Sequence, residues 1–294
     1  MEHRPPARRL NEVYDFSLMK DDEIECLHEL AQDQRRTVVA LVDSGIDYNH
    51  PALAYKTPRK PHDPDRFVVG TRLLPYDFKN HGTSVAGIIT GGCEDVSLVP
   101  IQHSLELNDY QGIFSYIEDL GVGIVNISFG LKNHCPKAIL NRERFIKGIQ
   151  EHPEILFVAA AGNEGLDNDL FFDVPGSLQF SNLLVVGSVT SDDKLAEFSN
   201  FGKQSVHLGA PGVDINVLQH LGEYGVNSGS SLSAPLVTQI CARIRSVNPS
   251  LSPEGIIRIL EASVRKVEGL ENVFKWGGVP DADLAVKLAE DLYG

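Results

Sequence analysis

Residues 37–45 read TVVALVDSG: an uncharged, Val-rich run that ends abruptly in Asp43, Ser44 and Gly45. A short run without polar alternation suits a strand buried on both faces, the habit of parallel sheets, and turn-forming residues close it. Similar runs occur at Ile124 to Ser128, Ile155 to Ala160 and Leu183 to Val189. Between and beyond them, Thr83 to Thr90, Gly112 to Leu120, Lys137 to Glu151, Ser233 to Val247 and Pro253 to Ser263 carry helical periodicity. Alternating strand and helix predicts an α/β layer fold with a mainly parallel central sheet flanked by helices. In such sheets ligand-handling groups gather at the carboxyl ends of strands and at helix N-termini, so the polar residues after each apolar run become the candidates.

Outward from this core, residues 1–36 read as a separate N-terminal extension. Pro5, Pro6, Arg8 and Arg9 precede an amphipathic stretch, Asp21 to Gln34, in which Ile24, Leu27 and Leu30 recur at helical spacing. We expect a short helix there and a pro- or inhibitory role for the segment. Residues 37–294 show no internal repeat or linker and read as one domain. An apolar share of 42% and a charged share of 22% exclude wholesale disorder. A net charge of −14 disfavours nucleic acid and anionic membrane surfaces as partners. No run reaches the roughly 18–20 apolar residues that a membrane span needs, and the first residues lack a signal peptide's apolar stretch; the expected location is the cytoplasm. Cys26, Cys93, Cys135 and Cys241 are scattered without a CxxC pair, so they predict reduced thiols, with no zinc site and no disulfide framework.

Three polar residues suit nucleophilic catalysis. Asp43 follows the first buried strand, His81 opens the segment HGTSVAGII, and Ser231 lies in SGSSLSAP at the start of a helix. Serine needs a histidine to take its proton and a carboxylate to fix the imidazole tautomer. Singly, each has a plainer explanation: a strand-end Asp caps a turn, a His before Gly sits in a loop, and a Ser among small residues begins a helix.

Together with their flanks, these residues resemble the subtilisin-like serine peptidases. The resemblance rests on Val42-Asp43-Ser44-Gly45-Ile46, on His81-Gly82-Thr83 with Val85-Ala86-Gly87, and on Gly229-Ser230-Ser231-Leu232-Ser233-Ala234-Pro235. Val125 to Gly130, Ala159 to Gly165, Phe198-Ser199-Asn200, Ala210-Pro211-Gly212 and Trp276 to Ala282 match further signatures in the family's order, across about residues 37–290. The order Asp, His, Ser is itself the known subtilisin order. The resemblance implies a three-layer subtilisin-like fold and a serine endopeptidase acting through an acyl-enzyme. Ser231 would be the nucleophile, His81 the base, Asp43 its orienting carboxylate and Asn163 an oxyanion donor. Ser128, Phe129 and Gly130 would pair with an extended protein or peptide substrate. Without the resemblance, Asn163 is a turn residue and Ser128–Gly130 the end of a core strand.

Some positions depart from the family pattern. Asn80 and Ser84 flank the His motif where Gly or His and a second His are common, Ser230 replaces Thr, and Leu232 replaces a frequent Met. The segment Val99 to Ile113 lacks the Ser/Gly-rich stretch that walls the substrate groove in many relatives. That departure and the expected location favour a selective processing enzyme over bulk digestion. A catalytically silent binding protein and a peptide ligase using the same residues are the alternatives. No cofactor is required by this chemistry. Asp167, Asp169 and Asp173 lack a cation-loop signature and read as a solvated acidic loop, a poor case for structural calcium. His50, His62, His103 and His207 show no ligand spacing, and nothing in the sequence sets an oligomeric state.

Overall fold

The computed structural model describes residues 37–47, 49–53, 77, 79–102, 109–131 and 136–292. The extension 1–36 and its expected helix lie outside the described residues. Strands β1 (Thr37–Asp43), β2 (Val96–Gln102), β3 (Ile124–Ile127), β4 (Leu156–Ala160), β5 (Leu183–Val189) and β6 (Leu208–Pro211) form one sheet in the order β2-β1-β3-β4-β5-β6. Every pairing in it is parallel.

Helices α1 (His81–Thr90), α2 (Tyr110–Asp119), α3 (Pro136–Glu151) and α4 (Ser230–Val247) flank this sheet, followed by α5 (Pro253–Ala262) and α6 (Ala282–Asp291). Two antiparallel hairpins complete the chain: β7 (Ile215–Leu218) with β8 (Tyr224–Asn227), and β9 (Val264–Lys266) with β10 (Gly278–Pro280).

The sheet divides the core in two, because successive side chains of a strand point to opposite faces. On one face Val39 and Leu41 of β1 and Leu156 and Val158 of β4 meet α1, α4 and α5 through Val85, Ile89, Val237 and Ile256. On the other, Val38, Ala40, Val42 and Phe157 meet α2 and α3 through Ile113, Phe114, Phe145 and Ile149. Both faces are buried, which explains the continuous apolar runs. Two buried histidines illustrate how polar residues are accommodated in the core. His207 Nδ1 accepts the Val185 N–H at 3.1 Å, and burial holds its imidazole near a pKa of about 3, neutral at any ordinary pH. His50, also buried, faces Glu223 O through Nε2 and accepts the Ala52 N–H through Nδ1.

Strand order places the site. From β1 the chain moves outward to β2 and then returns across β1 to β3, so the direction of winding reverses between β1 and β3. Ligands of open parallel sheets bind at such a switch, beyond the carboxyl ends of the strands. Val42 pairs with Ile127 there, so Asp43 and Ser128 stand one step further on, at one level.

Several elements differ from the sequence reading. In the segment Val99 to Ile113, which lacks the Ser/Gly-rich groove wall of many relatives, Val99–Gln102 belong to β2, residues 103–108 lie outside the described residues, and Tyr110 already opens α2. Helices α1 and α4 begin two and three residues earlier than their periodicity indicates, at His81 and Ser230, because small or polar first-turn residues do not register as an apolar face. The acidic loop is used for backbone capping: Asp167 accepts the Asp169 N–H, Asp169 those of Gln204 and Ser205, and Asp173 that of Val174, each at 2.9 Å.

An aromatic layer packs between α2, α3 and β4. Phe114 is fully buried, with its ring 4.8 Å from that of Phe157 and 5.7 Å from that of Phe145. Phe114→Ala should therefore cost about 3–5 kcal/mol of unfolding free energy in a urea titration; a loss below about 1 kcal/mol, the level of an ordinary substitution, would contradict this packing account.

Candidate active site

Two helix N-termini and two strand ends build the site. Asp43, the last residue of β1, is 2% exposed, and its Oδ1 accepts the Ser44 N–H at 2.7 Å and lies 2.8 Å from His81 Nδ1. His81 is the first residue of α1 and keeps about a third of its side chain exposed. A bond from Nδ1–H to the carboxylate fixes the tautomer that leaves Nε2 as an acceptor.

A second carboxylate, not singled out in the sequence, holds this pair. Asp77 is fully buried; its Oδ1 accepts the Ser44 hydroxyl at 2.6 Å and the Lys79 N–H at 3.1 Å, and its Oδ2 accepts the Thr83 N–H at 2.8 Å. Ser44 Oγ in turn accepts the Gly82 N–H at 3.1 Å. One buried acid thus joins the neighbour of Asp43 to the neighbours of His81. The signal for it was an Asp four residues before the histidine.

Gly82 allows the approach, since a methyl group there would collide with the Gly45 carbonyl and crowd Asp43 Cβ. Asn80 turns the chain into α1 in a left-handed conformation, φ 60°, and its side chain accepts the His220 N–H at 2.9 Å. Ser84 is buried, 2.9 Å from both Asn80 O and Leu218 O, and ties α1 to β7.

At the other side of the site, Ser231 is the second residue of α4. Ser230 Oγ spans the Gly162 peptide, 3.1 Å from both its N and its O, and the Ser230 N–H donates to Asn163 Oδ1 at 2.8 Å. With Oδ1 so occupied, Asn163 presents Nδ2 to the space beside Gly229. A Cβ on Gly229 would stand 3.2 Å from Ser231 Oγ, 3.5 Å from Asn163 Nδ2 and 3.8 Å from Ser231 N, so a hydroxyl and two N–H donors converge on a space that the glycine leaves open. The first N–H groups of a helix have no intrahelical acceptor and carry its positive dipole end, which suits an anion at Ser231.

Asn200 braces the Asn163 loop, accepting the Glu164 and Leu166 N–H groups through Oδ1 and donating to Asn168 Oδ1 through Nδ2. Gly162, at φ 113°, is in a region that favours glycine, and any side chain there would strike Asn200.

The side chains of the third candidate group point inward. Ser128 is buried and accepts from Asn126 Nδ2 at 2.9 Å, while Phe129 lies against Tyr110 and Phe145 in the aromatic layer. Gly130 alone is exposed. What this segment offers a ligand is therefore its backbone.

Electrostatically, burial lowers the affinity of His81 for a proton, but the charge of Asp43, its hydrogen bond and the charge of Asp77 outweigh burial and lift the pKa above the ordinary 6.5. The arrangement can hold an imidazole as proton acceptor and stabilise its protonated form.

Comparison with known proteins agrees with this geometry. Residues 34–277 match the family model Peptidase_S8, the subtilase family. The chain belongs to the subtilase family. Among curated subtilases it is 30% identical over 256 residues to a thermophilic serine proteinase of Bacillus sp. (strain AK1), covering 82% of this chain and 59% of that protein. It is 31% identical over 231 residues to subtilisin-like protease 2 of Plasmodium falciparum, covering 71% of this chain and 17% of that one. The chain thus spans less than two thirds of either relative.

Solved structures share the fold. A lanthipeptide protease superimposes with a TM-score of 0.71 at 21% identity, over 91% of this chain and 95% of the other. The epidermin leader peptide processing serine protease of Staphylococcus aureus does so at 0.70 and 19% identity, over 92% and 82%.

The lifted His81 pKa is directly measurable by NMR titration of the imidazole. We expect a value above 6.5 that falls in Asp77→Asn, because removing a negative charge favours the neutral ring; an unchanged titration in that variant would show that Asp77 exerts no field on His81.

Proposed function

We propose that this subtilase is a serine endopeptidase. Ser231 Oγ attacks the carbonyl of the scissile peptide bond, His81 Nε2 takes its proton and later gives it to the leaving amine, and Asp43 stabilises the imidazolium. The Asn163 amide and the Ser231 N–H hold the oxyanion of the tetrahedral intermediate, and water then releases the acyl group from Ser231. The observation that supports this most strongly is the Asp43–His81 contact of 2.8 Å at the end of β1, on the strand beside β3. A peptide laid against the backbone of Ser128–Gly130 would bring its carbonyl towards the space beside Gly229.

Selectivity is part of the proposal: a processing enzyme of the cytoplasm, its substrate a defined protein or peptide. Two structural neighbours, the epidermin enzyme and a nisin leader peptidase of Lactococcus lactis, are named for leader-peptide processing. The four cysteines lack a pairing pattern, in keeping with a reducing compartment. Among the described residues no helix is long and apolar enough to cross a membrane. Residues 1–36 are proposed as the inhibitory segment, and no cofactor enters any step.

A fluorophosphonate probe should add one label, mapped by peptide mass to Ser231 and absent in Ser231→Ala. Asn163→Ala should keep the label site but lose about 10²–10³ in kcat, the scale known for an oxyanion donor of subtilisin itself. Absence of any labelled residue would favour a silent binding protein, and capture of an added amine in place of water would favour a ligase.

A further inference from the structure

The β7–β8 ribbon touches both halves of the site. Among the described residues its two strands pair only with each other. At one end β8 runs through Ser228, Gly229 and Ser230 into Ser231, with the Gly229 N–H bonded to Gly212 O at 2.8 Å. Along its length Val217 of β7 packs with Ile88 of α1 and with Leu232 of α4, the neighbour of Ser231. At its other end the turn 219–223 meets the start of α1, whose first residue is His81.

That turn is held by side chains bonded to backbone. Ser84 Oγ lies 2.9 Å from Leu218 O, Asn80 Oδ1 accepts the His220 N–H at 2.9 Å, Asp47 Oδ2 accepts the Leu221 N–H at 2.9 Å, and His50 Nε2 faces Glu223 O at 3.2 Å. The apolar side chain at the tip adds little, since Leu221 is 85% exposed.

Asn80 is the member of this group next to His81. It occupies the cap position of α1, where asparagine ordinarily accepts an N–H of its own helix. It makes no such bond. Instead Ser44 Oγ takes the Gly82 N–H and Asp77 Oδ2 takes the Thr83 N–H. The Asn80 side chain is thereby released to the ribbon, 140 residues further along the chain. Its backbone, at φ 60°, adopts the left-handed turn that asparagine tolerates, so the direction in which His81 leaves it is tied to the ribbon that leads into Ser231.

We infer that Asn80 is a positioning residue: its bond to the His220 N–H sets His81 against Asp43 and holds it in register with Ser231. This rests on the peptidase reading above. The bond acts through His81 and not on the peptide, so it governs turnover rather than binding.

In Asn80→Gly the left-handed backbone is kept and the side chain alone is lost. With active enzyme counted by fluorophosphonate titration of Ser231, kcat on one peptide should fall roughly ten- to a hundredfold while KM holds. A ring held less firmly by Asp43 has its burial less opposed, so the His81 pKa falls and the acid limb of kcat/KM moves to lower pH; the charges of Asp77 and Lys79, which also act on His81, are unaltered. His220→Pro removes the donor itself, and proline suits the position because Gln219 is extended and residue 220 opens a 3-10 turn. In that background Asn80→Gly should have no further effect. An Asn80→Gly enzyme with the kcat and acid limb of wild type, a loss confined to KM, a fall in kcat with the limb unmoved, or a full further loss in the His220→Pro background would each overturn the inference. A wild type that takes no label and cuts no peptide would sink the peptidase reading, and NMR titration of His81 would then decide the role of Asn80: a lowered pKa in Asn80→Gly supports it, an unchanged one refutes it.

Discussion

The site depends on one hydrogen bond, between the buried Asp43 carboxylate and the partly exposed His81 imidazole. A buried carboxylate without partners is expensive, and removing one partner of a buried polar pair costs more than the pair itself contributes. The chain meets this with bonds from the Ser44 amide and His81, and with a second acid, Asp77, that locks the surrounding backbone. All of it requires α1 to start hard against the end of β1, which is possible because residue 82 lacks a side chain. The same constraint fixes the charge state of the site: two acids hold His81 ready to accept and keep a proton in spite of burial.

The second half of the site follows a similar plan on different elements. Ser230 and Ser233, on either side of Ser231, anchor the first turn of α4: Ser230 grips the Gly162 peptide, and Ser233 Oγ bonds to Ala210 O of β6 and lies 2.9 Å from Ser188 Oγ of β5. Helix α4 itself runs beneath the sheet with Val237, Ile240 and Ile244 in the core. The rigidity of the hydrophobic layer is thereby passed to Ser231 through hydrogen bonds only one or two residues away. Preorganised donors of this kind act without reorganising as charge develops.

Much of this was legible in the residues. The runs at 37–43, 124–128, 155–160 and 183–189 gave parallel strands because both sheet faces are covered, and Asp43, His81 and Ser231 stood out as polar residues after such runs, whereas Asn163 was marked only by the resemblance to the subtilisin-like peptidases. Strand β2 was harder to read, since Pro100 interrupts its pattern; the strand lies at the sheet edge, where a missing N–H is tolerated. Asp77 escaped notice because its importance lies in contacts across 33 residues of chain, to Ser44, and its place four residues before His81 is a weak signal by itself. Asp173 was read as one of a solvated acidic trio; in the fold it is half-buried, accepts the Val174 N–H and lies with Oδ2 beside Gly130. Local chemistry is visible in sequence, whereas the partners that orient it become visible once the strands are in register.

The central claim is that Asp43, His81 and Ser231 act as one unit, and a cycle of kcat/KM values for Ser231→Ala, His81→Ala and the double variant tests it most directly. The account expects each single change to cost nearly as much as both together, on the order of 10⁶-fold, as is known for the corresponding unit in subtilisin. Losses that multiply in the double variant, or a Ser231→Ala enzyme that keeps most of its rate, would contradict it.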